Sequence, residues 1–151
     1  MAHSSNRILD DLSRLFADAA GAAVDVEAVP GEAFLLHPED GILVHSNHFQ
    51  HQDAQRTLDD RGRRTHPDTL FRDCRVRDAL AERRGSVAIA DIQAALQDHH
   101  GYPQSVCRHP NPASDSIGYT LASSVIDLTD RRMLTAPGPA CVGTYTEYSF
   151  S

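Results

Sequence analysis

Lysine is missing from this 151-residue chain, whose 14 basic side chains are all arginine. That absence rules out lysine Schiff bases, pyridoxal-phosphate attachment and a phosphate-binding loop built on lysine. Positive charge as a whole is scarce: the formal net charge is −7 and the pI is near 5.6. Nucleic acid is therefore not an expected partner, because a broad basic surface is needed to displace its counterions. Cysteine is sparse as well. Cys74, Cys107 and Cys141 are odd in number, widely spaced and without a CxxC pair. They offer no disulfide framework or zinc knuckle and suit a reducing, cytoplasmic setting. No apolar run approaches the ~18–20 residues that span a bilayer, and the N-terminus lacks the basic-then-apolar order of a leader, so no membrane partner is expected. What is present is 40% hydrophobic content, enough for one globular domain or one half of a larger one.

Periodicity divides the chain. Ile8, Leu9, Leu12, Leu15 and Phe16 recur at spacings of three and four, which predicts an amphipathic helix over residues 7–16 with Asn6 as its cap. Residues 1–12 are read as an N-terminal extension of helical character and residues 13–151 as the domain. Val24 and Val26 alternate with Asp25 and Glu27, Pro30-Gly31 marks a turn, and residues 33–37 form a short apolar run, a pattern of consecutive antiparallel strands. After a second turn at residues 38–41, the β-branched start of residues 42–47 predicts a strand that delivers polar side chains at its end.

From Gln50 to Gly85 arginine and aspartate displace the large apolar residues and helix becomes the better reading. Pro67 suits a helix start, Leu70, Cys74, Arg77 and Ala81 share a face, and Gly85 is a stop. Arginines crowd residues 56–84, but acids are interleaved with them, which reads as a solvated helix face and not an anion-binding patch. A shorter helix over residues 91–99 precedes a proline-rich loop over residues 102–116. A second β region follows: residues 118–128, a turn at Asp130-Arg131, residues 132–136, and a tail with Tyr145, Tyr148 and Phe150. Strands, then helices, then strands predict an α+β fold, a largely antiparallel sheet covered by helices. There is no internal repeat and no GxGxxG.

The nine histidines invite a metal hypothesis, but the spacing of His45, His48 and His51 would send successive rings to opposite faces of a strand, and no HExxH accompanies them. Neither a metal nor any other cofactor is expected. Among the thiols, Cys74, on a helix face, reads as a core residue and Cys141, near a terminal strand, as structural. Cys107, flanked by Arg108 and His109, has the most electropositive neighbours and is the candidate nucleophile.

Four stretches taken in order resemble a known family. HSNHF at residues 45–49, Asp98-His99 followed by SVCRHP at residues 105–110, TLASSVIDL at residues 120–128 and GPAC at residues 138–141 are similar to the C-terminal half of the penicillin acyltransferase-like family, the C45 peptidases. FADAAGAAVDVEAVPG at residues 16–31 fits the strand pair before them. The resemblance implies the αββα sandwich of an N-terminal nucleophile hydrolase, which cleaves or exchanges amide bonds. In that family an internal cysteine is exposed by self-cleavage, and its own α-amino group is the base. The resemblance further implies that Asn47 donates to the oxyanion of the tetrahedral intermediate, a role worth ~2.7–4 kcal/mol; the alternative is an asparagine that satisfies a turn. Arg108 is assigned to orienting substrate or bracing the site through its fork of donors, against a structural ion pair with an acid such as Asp98 or Asp127. His45, on the strand face of Asn47, and His109 complete the expected substrate-binding set.

The nucleophile-bearing half has no counterpart here, since Met1 and Ala2 carry no nucleophilic side chain. A component of a cysteine amidohydrolase or acyltransferase acting on a small amide or acyl substrate is therefore expected, completed by a nucleophile-bearing partner subunit or assembled as a homo-oligomer. Its rivals are a non-catalytic binding or scaffold protein and a repurposed small-molecule biosynthetic protein of the same descent. A half-sandwich would expose a sheet face and strand edges, which proteins cover or pair.

Overall fold

The computed structural model describes residues 8–9, 12–113 and 118–150. The chain is α+β and divides into two compact units, Met1–Asp73 and Cys74–Ser151.

The first unit is built on a three-stranded antiparallel sheet in the order β2-β3-β4, from Leu12–Ala17, Ala23–Val29 and Glu32–Leu36. Asp18 closes the β2–β3 turn, its carboxylate accepting the N–H of Ala20 and of Ala22. In the two-residue β3–β4 link, Pro30 presets its own φ and Gly31 takes φ +89°, a conformation that side chains disfavour. β1 (Ile8–Leu9) pairs in parallel with β5 (Asp59–Asp60). Between them in sequence come β2–β4, an irregular segment over residues 43–50 and α1 (Gln52–Thr57); α2 (Arg61–Thr65) and the start of α3 (Thr69–Ala81) follow. The core packs Phe34 and Phe49 with Ala54 of α1, flanked by Val29 and Leu58.

Two expectations fail here. The helix over residues 7–16 is replaced by strand: β2 pairs residue for residue with β3, Leu12 to Ala28 through Ala17 to Ala23. That ladder supplies cross-strand hydrogen bonds that an isolated short helix lacks, and it overrides the 3.6-residue pattern. Residues 7, 10 and 11 of that expected helix, and most of the proposed N-terminal extension, lie outside the described residues; Ile8–Leu9 is strand β1. The strand over residues 42–47 is also absent: only Glu39 and Ile42 form an isolated bridge, and the chain then runs irregularly to a bend at Asn47 and His48.

The second unit carries α4 (Ile89–Leu96) and a three-stranded antiparallel sheet in the order β6-β7-β8, from Ala122–Asp127, Arg132–Pro137 and Thr146–Ser149. α3 and α4 start within two residues of the helix readings and end about three residues earlier than read; Cys74, read as core, is exposed on α3 because its side of the helix meets no apolar neighbour layer among the buried residues. Asp127 accepts the Asp130 N–H across the β6–β7 turn and pairs with Arg132. β6 buries Ser123 and Val125 and leaves their alternates outside, with Ser123 opposite buried Ala136 of β7; Ala95 and Ala140 are also buried in this unit. The end of the proline-rich loop, residues 114–117, lies outside the described residues.

Candidate functional site

β3 buries its acids. Asp25 and Glu27 are fully buried on one face, while Val24 and Val26 lie half-exposed on the other. Carboxylates tolerate such burial only with partners, which Glu27 has at both oxygens and Asp25 at one, its Oδ2 accepting no hydrogen bond. Glu27 accepts the N–H groups of Gln50 and of His51 (3.0 Å) and the Nε2 proton of His45 at 2.9 Å. Asp25 accepts the Ser13 hydroxyl at 2.6 Å, and its second oxygen stands 3.5 Å from the same His45 nitrogen. Burial works against a charged Glu27, but the His45 ring and the two backbone donors outweigh it and hold its pKa below the ordinary carboxylate range. The two acids thus clamp the irregular segment that carries HSNHF to the sheet.

Asn47 stands on that clamped segment with its side chain exposed. Its backbone N–H donates to Thr69 Oγ1 at 2.7 Å. The same hydroxyl accepts from buried His48 Nδ1 at 3.0 Å and donates to Ser46 Oγ at 2.9 Å, so all its capacity is used. The Asn47 carbonyl oxygen lies against Gly62 of α2, where an added Cβ would come within 2.0 Å of it. Its Oδ1 accepts from Arg72 Nη2 at 2.6 Å, and Arg72 is itself held by Asp68 through Nε at 2.9 Å. Because a guanidinium only donates, this bond settles the amide orientation and turns the Nδ2 donor end away from Arg72. Phe49 follows with its N–H on Asp60 Oδ2 at 2.8 Å, while Asp60 Oδ1 caps α2.

His45 does not share a face with Asn47, because there is no strand to align them: its side chain is 7% exposed and points at Glu27. It braces the segment. Sequence reasoning missed Asp25, Glu27, Asp60, Gly62, Thr69 and Arg72. Two signals were legible: the pair of acids two apart in a strand, and the i,i+4 spacing of Asp68 and Arg72, which do pair.

The second unit brings other expected residues together. Cys107 is fully buried. Its sulfur lies 3.7 Å from His109 Nε2, which also meets Cys141 Sγ at 3.4 Å and His99 Nε2 at 3.0 Å. Burial, first of all, pushes the Cys107 thiol pKa up, the reverse of what an activated nucleophile needs. Arg108 is partly buried; its backbone N–H and C=O pair with Thr120 Oγ1 and N. Asp98 pairs with Arg75 and Asp127 with Arg132.

Comparison with known families decides the ancestry. The family model described as acyl-coenzyme A:6-aminopenicillanic acid acyl-transferase matches residues 11–139. The chain belongs to that family. The acyl-transferase match takes in the β2–β4 sheet, Asn47, Cys107 and Arg108, and stops before Cys141. No curated protein matches the chain. Family membership makes this an acyltransferase- or amidohydrolase-type chain, and among the described residues no helix is long and apolar enough to cross a membrane.

Proposed function

We propose that the chain supplies the oxyanion-binding part of a cysteine amidohydrolase or acyltransferase whose nucleophile is contributed by a partner subunit. The observation that supports this best is the pose of Asn47, an exposed amide held at its backbone N–H and its Oδ1. A donor that needs no reorganisation as charge develops is what stabilises an oxyanion.

In this reading the partner's cysteine thiolate attacks the substrate carbonyl carbon, its proton having passed to the partner's α-amino group. The carbonyl oxygen gains negative charge and takes hydrogen bonds from Asn47 Nδ2. The C–N bond then breaks, the amine leaves with the α-ammonium proton, and a thioester remains. Water converts it to an acid, and an amine converts it to a new amide. His45, Glu27, Thr69 and Arg72 are positioning residues that act through Asn47. An exposed apolar face supports association: one face of the β2–β4 sheet presents Phe16, Val24, Val26 and Leu35, with Phe16 58% and Leu35 52% exposed.

The test is acyl transfer from thioesters and hydrolysis of simple amides, by the isolated chain and by the assembly purified from cells that produce it. The isolated chain is expected to be silent. The assembly is expected to turn over and to slow ~10²–10³ with Asn47→Ala at unchanged fold. Turnover by the isolated chain with Met1 intact, or a full rate with Asn47→Ala, overturns the reading.

A further inference from the structure

The four side chains that meet in the second unit come from three separate stretches. His99 follows the end of α4, Cys107 and His109 stand in the next loop, and Cys141 lies on the turn after β7. Their ligand atoms all lie within 4.8 Å of one another, with three of the separations at 3.0, 3.4 and 3.7 Å. A tetrahedral Zn²⁺ with nitrogen and thiolate ligands at its usual bond lengths has ligand–ligand edges of roughly 3.3–3.8 Å. The donors are thus within small side-chain shifts of that figure.

Hydrogen bonding alone does not account for the convergence. His109 Nε2 holds one lone pair or one proton, and three polar atoms close on it. A cation at the centre serves all four at once. The three stretches are also pinned independently. Cys107 N–H donates to the Asp98 carbonyl, the Asp98 carboxylate is held by Arg75, and Gln97 Nε2 donates to the Ala140 carbonyl at 3.2 Å. His109 N–H donates to the Pro103 carbonyl. Two sulfurs and two imidazole nitrogens with no open position select a soft, tetrahedral ion and a structural role.

We propose that His99, Cys107, His109 and Cys141 form a closed Zn²⁺ site that ties three loops of the C-terminal unit together. Binding converts the two thiols to thiolates and releases their two protons to solvent. The site uses none of the groups around Asn47, so it stands whether or not the acyl-transfer reading does. It gives Cys107 the work of a ligand in place of that of a nucleophile.

The experiment uses the purified, reduced chain, freed of metal with a chelator and titrated with Co²⁺ and then Zn²⁺. The expected result is one Co²⁺ per chain, with tetrahedral d–d absorption and a thiolate-to-cobalt charge-transfer band, displaced by Zn²⁺. Zn²⁺ should also slow alkylation of Cys107 and Cys141 while exposed Cys74 keeps reacting as an internal control. His99→Ala, at an exposed position, and Cys141→Ser should each weaken binding at least ~10-fold, with circular dichroism of the metal-free variants unchanged. Absence of the charge-transfer band overturns the site. So does a band that survives both substitutions, a Cys107–Cys141 disulfide that reduction does not convert to a metal-binding form, or alkylation of Cys107 that outpaces Cys74 with Zn²⁺ present.

Discussion

Arg72 donates to the side-chain oxygen of Asn47 at 2.6 Å, and Thr69, one helical turn before it on α3, takes the backbone N–H of the same asparagine at 2.7 Å. Because Arg72 acts through Asn47, removing it should matter only while the amide is present. In the active assembly Arg72→Ala is expected to lower kcat by up to ~10². The double variant with Asn47→Ala should be no slower than Asn47→Ala alone. A further drop in the double variant would show that Arg72 touches substrate directly.

Thr69 separates shape from hydrogen bonding. Thr69→Val keeps the volume but strands the N–H of Asn47 and the ring nitrogen of buried His48, and should cost about 1–3 kcal/mol in denaturant unfolding. Thr69→Ser keeps the hydroxyl and should recover most of that loss. Equal destabilisation by both would assign the effect to the lost methyl group.

At Gly62 the constraint is space. A Cβ there meets the Asn47 carbonyl oxygen at 2.0 Å, so α2 or the asparagine must move. Gly62→Ala should destabilise by about 1–3 kcal/mol, the usual range for overpacking, even though alanine is the better helix former. A neutral or stabilised variant would mean that the close approach is not present in solution.

Acid should weaken the first unit in two steps. Burial, against the pull of Asp73 and Asp60, lowers the His48 pKa in the fold. The unfolded chain therefore binds that proton more readily, and the stability gained from neutral His48 fades as pH falls below the ordinary imidazole value of about 6.5. Glu27 is also depressed in the fold. Its contribution is complete above the unfolded carboxylate pKa and is lost as pH drops through the folded value. Melting temperature should fall continuously from about pH 7 to pH 4, with Glu27→Gln flattening the lower part of the curve. A curve that the substitution leaves unchanged removes Glu27 as its cause.

The exposed outer face of the β2–β4 sheet should be covered in solution. Sedimentation of the pure chain at micromolar concentration is expected to show self-association, weakened by Phe16→Ser together with Leu35→Ser. A non-aggregating monomer, unaffected by these substitutions, would count against any partner at this face.

Turn chemistry and local periodicity were legible from the residues alone. Pro30-Gly31, Asp130-Arg131, the hairpin of β3 and β4, and helices α3 and α4 follow from backbone preferences that operate over a few residues, and these set the α+β class. The ordered motifs HSNHF, SVCRHP and GPAC were equally legible as ancestry, and so they pointed to Asn47. The tertiary structure decided what periodicity left open. Residues 7–16 have a helical spacing, yet β3 offers a complete ladder partner and strand wins. β3 alternates acids with valines, a pattern with two possible faces, and its acids turn inward because the His45 ring and the N–H groups of Gln50 and His51, some twenty residues later, meet Glu27. The neighbours of Asn47 come from α2 and α3, and the four donors around His109 from three loops. No spacing in the sequence encodes such meetings, because they depend on where separate segments pack in space.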